Sequence, residues 1–203
     1  MLWYQSIPIW FQKIFGRYTW RIPNQDKTVY LTFDDGPHPE ITPWVLQQLA
    51  NYNYKATFFC VGDNVRKFPE TYQSILSSQH KTGNHTMHHI KGWKSTLDHY
   101  TDNVADCAKL VDSNLFRPPY GRITRPQTSI LRKKYKIIMW SLLALDFEKK
   151  LNTTKALEGL KKKTKPGSII VFHDSVKAEK NLKTMLPLYL QFLNQNGFNC
   201  KVI

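Results

Sequence analysis

Five short segments of this chain carry residue types that can do chemistry, and they follow one another in order. The first is Thr32-Phe33-Asp34-Asp35-Gly36-Pro37. Adjacent carboxylates repel, and on a strand their side chains point to opposite faces. The pair makes sense if one holds a cation and the other works as a base. Asp, Gly and Pro also build turns, so a plain turn competes with that reading. The second is His85-Thr86-Met87-His88-His89. His85 and His89 stand at i and i+4, which stacks them on one helical face, where neutral imidazoles can share a zinc, cobalt or nickel ion. With Asp35 they would make three protein ligands and leave positions open for water and substrate, as catalytic rather than structural sites do. A polar His-rich loop is the plain alternative, and His88 reads as exposed or supporting. The third is Arg117-Pro118-Pro119-Tyr120-Gly121. Two prolines fix the backbone, so the following amides are held as an oxyanion donor must be, and Arg117 could keep a nearby carboxylate ionised. The fourth and fifth are Asp146-Phe147 and His173-Asp174. A His at a strand end, with a carboxylate supplied by the neighbouring strand, is a candidate general acid; alone, such a His is as readily structural.

The elements around these segments alternate. Residues 28–33 (TVYLTF), 56–61, 115–117, 135–142, 168–172 and 198–203 read as strands, and a short segment leads to His85. Between them lie helical patterns. One has Thr42 as N-cap with Pro43 at the first helical position. Others are opened by Pro69, striped by Tyr100, Val104, Cys107, Ala108 and Val111, marked by Ile130 and Leu131, or capped by Thr153 or Thr154. The last, from Leu182 to Leu193, is expected to kink or restart at Pro187. This β-then-α order, repeated six or seven times, predicts a parallel sheet, as a barrel or an open doubly wound sheet. Both gather their sites at the C-terminal ends of strands, which is where the five segments fall.

Composition bounds the rest. The 203 residues are 41% hydrophobic, enough for one substantial core, and include 6 Trp, 10 Tyr and 11 Phe. No apolar run approaches the roughly 20 residues of a membrane-spanning helix. Cys60, Cys107 and Cys200 are widely spaced and read as buried thiols. Lys and Arg number 29 against 15 Asp and Glu, a formal charge of +14, which suits an anionic partner. The one dense basic run, residues 161–165, falls at the end of a predicted helix, where cations favour the dipole; with no nucleic-acid motif beside it, nucleic acid is not expected. Residues 1–25 form an aromatic and basic arm ahead of a domain spanning 26–203. The arm holds Trp3, Tyr4, Trp10, Phe11, Phe15, Tyr18 and Trp20 with Lys13, Arg17 and Arg21. That mixture suits a membrane interface, against the simpler reading of an arm packed on the domain. Gln5, Pro8, Gln12 and Lys13 interrupt its apolar residues and no Ala-x-Ala site follows, so no cleavable export signal is expected. A cytoplasmic or peripheral membrane location is favoured.

TFDDGP, HTMHH, RPPYG, a Trp…Asp-aromatic segment and VFH, in this order over residues 26–203, resemble the polysaccharide deacetylase family, also called carbohydrate esterase family 4 or the NodB-homology domain. The resemblance implies an irregular (β/α) barrel with about seven parallel strands. It implies metal-dependent removal of N-acetyl groups from an N-acetylglucosamine-containing glycan, with zinc the expected ion. It makes Asp34 the base, Asp35, His85 and His89 the metal ligands, and Arg117 the residue that orients the base. The Tyr120 amide becomes the oxyanion donor, His173 the general acid and Asp146 the carboxylate that tunes it, while the Thr86 hydroxyl is expected to steady the His loop. Phe147, Leu143 and Val171 stand where the family commonly has Trp, Asp and Leu. An O-acetyl esterase of the xylan type and a non-catalytic glycan-binding module on the same fold are the competing readings.

Overall fold

The seven residues of β1 (Thr28–Asp34) are all buried, and their alternation sorts the molecule into two layers. Val29, Leu31 and Phe33 point one way, into the main core under the helices. Tyr30, on the other face, joins Phe59, Leu115, Ile138 and Ile169 in a second cluster, and by the period of two Thr32 and Asp34 share that face.

The computed structural model describes residues 5–203. After a short α1 (Ile9–Ile14) and β1 come α2 (Ile41–Ala50), β2 (Thr57–Cys60), α3 (Gly62–Lys67), α4 (Pro69–Ser77), β3 (Lys81–Asn84), α5 (Leu97–Ala108) and β4 (Leu115–Phe116). Then follow α6 (Arg125–Leu131), β5 (Lys136–Ile137), β6 (Leu142–Leu143), α7 (Thr153–Lys163), β7 (Ile169–His173), α8 (Glu179–Gln195) and β8 (Asn199–Cys200). Seven parallel strands, in the order β5-β4-β3-β2-β1-β7-β6, curl into an irregular half-barrel, and β8 pairs with the start of β1. The register brings the strand ends level: Asp34 pairs with His173 and with Phe59, Cys60 with Asn84, and Asn84 with Phe116. Side chains just beyond these residues therefore emerge at one end of the sheet.

The N-terminal arm is hydrogen-bonded into this barrel rather than standing apart from it. Thr19 forms a parallel bridge with Ile138, Ser6 an antiparallel bridge with Leu142, and Arg21 another with Ser168. The arm thus spans the region between the edge strands β5 and β6. Phe11, Tyr18 and Trp20 pack with Phe116, Tyr135, Ile137 and Met139, and the Trp20 indole N–H donates to the Phe15 carbonyl at 3.0 Å. Trp3 and Tyr4 lie outside the described residues. No helix of the described residues is long and apolar enough to cross a membrane.

Four local expectations need correction. Residues 135–142 are two short strands, β5 and β6, because the Met139 N–H and the Ile138, Met139 and Ser141 carbonyls between them serve the arm and an internal arginine, which breaks the ladder. The cap of α7 is Asn152, whose side-chain oxygen accepts from Lys155 N at 2.9 Å, not Thr153 or Thr154. Thr42 and Pro43 lie inside the first turn of α2, which Glu40 precedes. Pro187 does not interrupt α8: Leu182, Met185 and Leu186 before it and Tyr189, Leu190 and Leu193 after it are buried as one face, and packing outweighs the lost N–H. As expected, Cys60, Cys107 and Cys200 are free and buried, and Lys161, Lys162 and Lys163 form the last turn of α7.

If the arm is part of the core, Trp20→Ala should cost about 3 kcal/mol of stability or more, as other buried Trp truncations do. Urea unfolding followed by far-UV circular dichroism measures it; a loss under about 1 kcal/mol would place Trp20 outside the cooperative unit.

Candidate active site

A buried ion pair stands at the end of β1. Arg117, which follows β4, is wholly buried. Its Nη1 donates to Asp34 Oδ1 at 2.6 Å and to Thr32 Oγ1 at 2.7 Å, Nη2 donates to the Met139 carbonyl at 3.0 Å, and Nε to the Ile138 carbonyl at 3.3 Å. The guanidinium lies 4.1 Å from the centre of the Phe59 ring. Phe59 reaches this position because Gly83, on the neighbouring strand, has no Cβ; one would overlap the ring.

Asp35 diverges from Asp34 through a left-handed backbone (φ 81°). The turn is pinned from three sides. Asn64 Nδ2 donates to the Asp35 carbonyl at 2.7 Å, Val61 N to the Gly36 carbonyl at 2.9 Å, and Gly36 N to Asp174 Oδ1 at 3.1 Å. A side chain at position 36 would collide with the Asp174 carboxylate, so only glycine fits. Asp35 Oδ1 lies 3.1 Å from His89 Nε2 and 3.7 Å from His85 Nε2. One donor atom from each of Asp35, His85 and His89 falls within 4.8 Å of the others.

The two histidines are not on a helix, as their spacing led us to expect. Residues 85–90 are a loop in which Thr86 and His89 take left-handed φ values of 66° and 53°, and this folds the rings to 5.1 Å apart. His85 Nδ1 is 2.7 Å from the Arg117 carbonyl, so it carries the proton and turns Nε2 toward Asp35. Burial lowers the His85 pKa to about 4 and keeps the ring neutral. Burial would raise the Asp35 pKa, but His89, His173 and His85 together hold it well below the ordinary carboxylate range. Neutral imidazole nitrogens and an ionised carboxylate converging on one point are the donor set of a divalent transition-metal site. The Thr86 hydroxyl has no partner among the described residues; the loop is held instead by Thr86 N donating to Asn84 Oδ1 at 2.9 Å. His88 is exposed and paired with Asn103.

His173 ends β7 beside Asp34. Both oxygens of the buried Asp146 grip it: Oδ1 is 2.8 Å from the ring Nδ1, and Oδ2 accepts from the backbone N–H at 2.8 Å. Desolvation alone would lower the His173 pKa. Asp146, with Asp35 and Asp34 behind it, outweighs burial and pushes it up to about 9. Asn181 fixes the Asp146 segment by donating to the carbonyls of Asp146 and Glu148. Phe147 meets the His173 ring edge-on, 5.0 Å between centroids.

These groups share a cavity of about 790 Å³, walled by Tyr120, Trp140, Leu143, Phe147 and Val171. Tyr120 takes a left-handed conformation (φ 59°) after the two prolines, and its ring lies 4.7 Å from that of His89. The hydrogen bonds of this turn are donated by Gly121 and Arg122, not by the Tyr120 N–H. Lys91 sits over the Tyr120 ring and Lys177 over that of Phe147, so the rim is cationic while the floor is acidic.

A family model described as polysaccharide deacetylase matches residues 21–135. The chain belongs to the polysaccharide deacetylase family. A Bacillus cereus peptidoglycan-N-acetylglucosamine deacetylase is 31% identical over 191 residues, covering 90% of this chain and 89% of that protein. A chitooligosaccharide deacetylase from Azorhizobium caulinodans is 28% identical over 162 residues, covering 76% and 77%. Among solved structures, a peptidoglycan N-acetylglucosamine deacetylase bound to 4-naphthalen-1-yl-N-oxidanyl-benzamide superposes with a TM-score of 0.86 at 29% identity, over 95% of this chain and 94% of the other.

All eight residues singled out in the sequence of this polysaccharide deacetylase family member, Asp34, Asp35, His85, His89, Arg117, Tyr120, Asp146 and His173, come together here. Three others complete it: Asp174 and Trp140 lay in the quoted segments without an assigned role, and Asn181 was missed. Asp174 accepts from Gly36 N and from the Thr42 hydroxyl and so buttresses the Asp34-Asp35 turn. Burial raises its pKa to about 7, with Asp35 adding to the rise and the Thr42 hydrogen bond opposing it. Its place beside His173 in the sequence was a signal, but nothing there marked which of the two faced inward. Trp140 is the Trp of the Trp…Asp-aromatic segment, at the end of the apparent strand 135–142, and Asn181 carries no local pattern.

The Asp146 grip predicts a pH effect. His173 donates a proton only while charged, so activity should fall as pH rises through about 9. Asp146→Asn removes the main opponent of desolvation and should move that alkaline limb down by about one unit or more. A pH–kcat profile measures this; an unmoved limb would assign it to another group.

Proposed function

We propose that this chain is a metal-dependent deacetylase that hydrolyses N-acetyl groups of an N-acetylglucosamine-containing glycan and releases acetate. The observation that carries the reading is the pairing of Asp34 and His173. They are neighbours across β1 and β7, line one cavity and have opposite electrostatic support: a buried guanidinium holds the carboxylate, and a buried carboxylate holds the imidazolium.

Asp35, His85 and His89 would hold the ion, most readily zinc, with cobalt or nickel compatible with the same donors. When bound it would supply Lewis acidity toward the acetyl carbonyl and lower the pKa of a water. The protein's own groups do the rest. Asp34, ion-paired with Arg117, accepts the proton of the attacking water. The Tyr120 N–H, held by the rigid turn, donates to the oxygen on which negative charge develops. His173 then protonates the departing nitrogen, and Asp146 stabilises the imidazolium until it does so. An amine is a poor leaving group without that proton, whereas an ester alkoxide needs it less. A His held charged to about pH 9 therefore favours the N-acetyl over the O-acetyl substrate. A purely glycan-binding module would need neither the base nor the acid. The relatives that act on peptidoglycan and on chitooligosaccharides support the glycan class.

Acetate release from chitooligosaccharides and peptidoglycan fragments tests this. The chelated protein should be inactive, and added zinc, cobalt or nickel should restore turnover. His173→Ala should lower kcat about 10²–10⁴-fold, and should do so less on an O-acetyl ester. Full turnover after exhaustive chelation, or normal turnover by His173→Ala, would overturn the reading.

A further inference from the structure

We propose that α1 and the residues after it form a docking surface for an anionic lipid bilayer, independent of the catalytic reading. None of the six residues of α1 is buried. Ile9, Trp10 and Ile14 are 62%, 64% and 67% exposed, and Phe15 is exposed as well. Four of the eleven exposed large apolar side chains among the described residues thus come from seven consecutive positions. Scattered surface apolar residues need no explanation, but a contiguous patch does.

The patch is not a loose end. Gln5 and Ile7 on one side and Thr19 on the other are hydrogen-bonded to Leu143, Ser141, Ile137 and Met139. Within it, Gln12 N donates to the Pro8 carbonyl, Phe15 N to the Phe11 carbonyl, and the Gln12 side chain to the Ile7 carbonyl. These bonds hold the turn in shape, so the outer side chains are presented from a fixed backbone. Only Phe11 turns inward, onto Trp20.

Charge identifies the occupant. No Asp or Glu occurs before Asp26, and Lys13 and Arg17 are exposed beside the apolar residues. The whole chain carries +14. An indole and two isoleucines flanked by cations, on a short convex helix, match the headgroup region of an anionic leaflet. There, aromatic rings sit at the interface and Lys and Arg reach the phosphates. A protein partner would instead call for charges of both signs around the apolar centre, and the charged residues within residues 5–25 are all cationic.

The test is flotation of the full chain with vesicles of pure phosphatidylcholine and of phosphatidylcholine mixed with phosphatidylglycerol. The protein should float with the mixed vesicles and much less with the neutral ones, and salt should weaken the binding. Trp10→Glu with Ile14→Glu should lower the partition coefficient on the order of tenfold or more, with unchanged thermal unfolding. Lys13→Gln with Arg17→Gln should weaken binding and flatten its salt dependence. Wild-type protein that stays unbound with anionic vesicles, or a Trp10/Ile14 variant that floats as well as wild type, would overturn the proposal. So would a concentration-dependent dimer in sedimentation velocity that the same variant abolishes, because the patch would then belong to a second copy of the chain.

Discussion

A positive charge sealed inside a half-barrel has to be answered by the backbone around it, and Arg117 imposes that condition on this fold. Desolvation of a cation costs several kcal/mol unless its protons are paired. Asp34 and Thr32 on β1 take Nη1, and the carbonyls of Ile138 and Met139 take Nη2 and Nε. Two carbonyls given to a side chain are lost to a strand partner. The segment between β5 and β6 therefore leaves the regular ladder, and the arm supplies what is missing: Met139 N donates to the Thr19 carbonyl at 2.8 Å and Ile7 N to the Ser141 carbonyl at 3.1 Å. The placement of one arginine thus reaches from a catalytic-type carboxylate to the role of the N-terminal arm. Losing either member of such a pair costs about 3–5 kcal/mol, because the other is stranded.

The same economy of charge separates two carboxylates that are adjacent in sequence. Two adjacent carboxyl groups beside one cavity need separate partners. The left-handed backbone at Asp35 sends it to the histidines while Asp34 stays with Arg117. A third carboxyl, Asp174, braces the turn from behind. With its pKa raised to about 7 it is partly protonated at neutral pH, so it braces without adding a full third charge.

Much of this was legible in residue types. β1, β2 and β7 are β-branched and aromatic runs long enough to identify, and the chemistry at their ends uses residues with few other reasons to cluster there. What was misread shares one physical origin: long-range hydrogen bonds chose the backbone. An i, i+4 pair of histidines fits a helix and equally fits a loop with two left-handed residues. Only Asn84, buried in β3 and accepting from Thr86 N, distinguishes them. The stretch 135–142 has strand composition, but between its pairings with β4 and β7 it also bonds to residues more than a hundred positions earlier and to Arg117. The arm resembled a membrane segment or a packed appendage. It is a packed part of the barrel wall, and Trp20 and Phe11 belong to the core while Trp10 and Ile14 do not.

The distribution of charge then follows from the division of labour. Every Lys and Arg except Arg117 is at least partly exposed, while Asp34, Asp35 and Asp174 line the cavity and Asp146 is buried behind His173. Four carboxyl groups in and behind one cavity are tolerable only with fixed partners, and each has one: Arg117, the histidine pair, His173, and Gly36 N with Thr42. Those partners are supplied by different strands, so Asp34 and His173 have separate braces although they sit side by side. Asp34 depends on a cation from beyond β4, and His173 on a carboxylate from beyond β6. The carboxylates also act on the imidazole directly, because Asp35 and Asp34 add to the rise that Asp146 gives the His173 pKa, so the two sides of the cavity are braced apart but coupled through space.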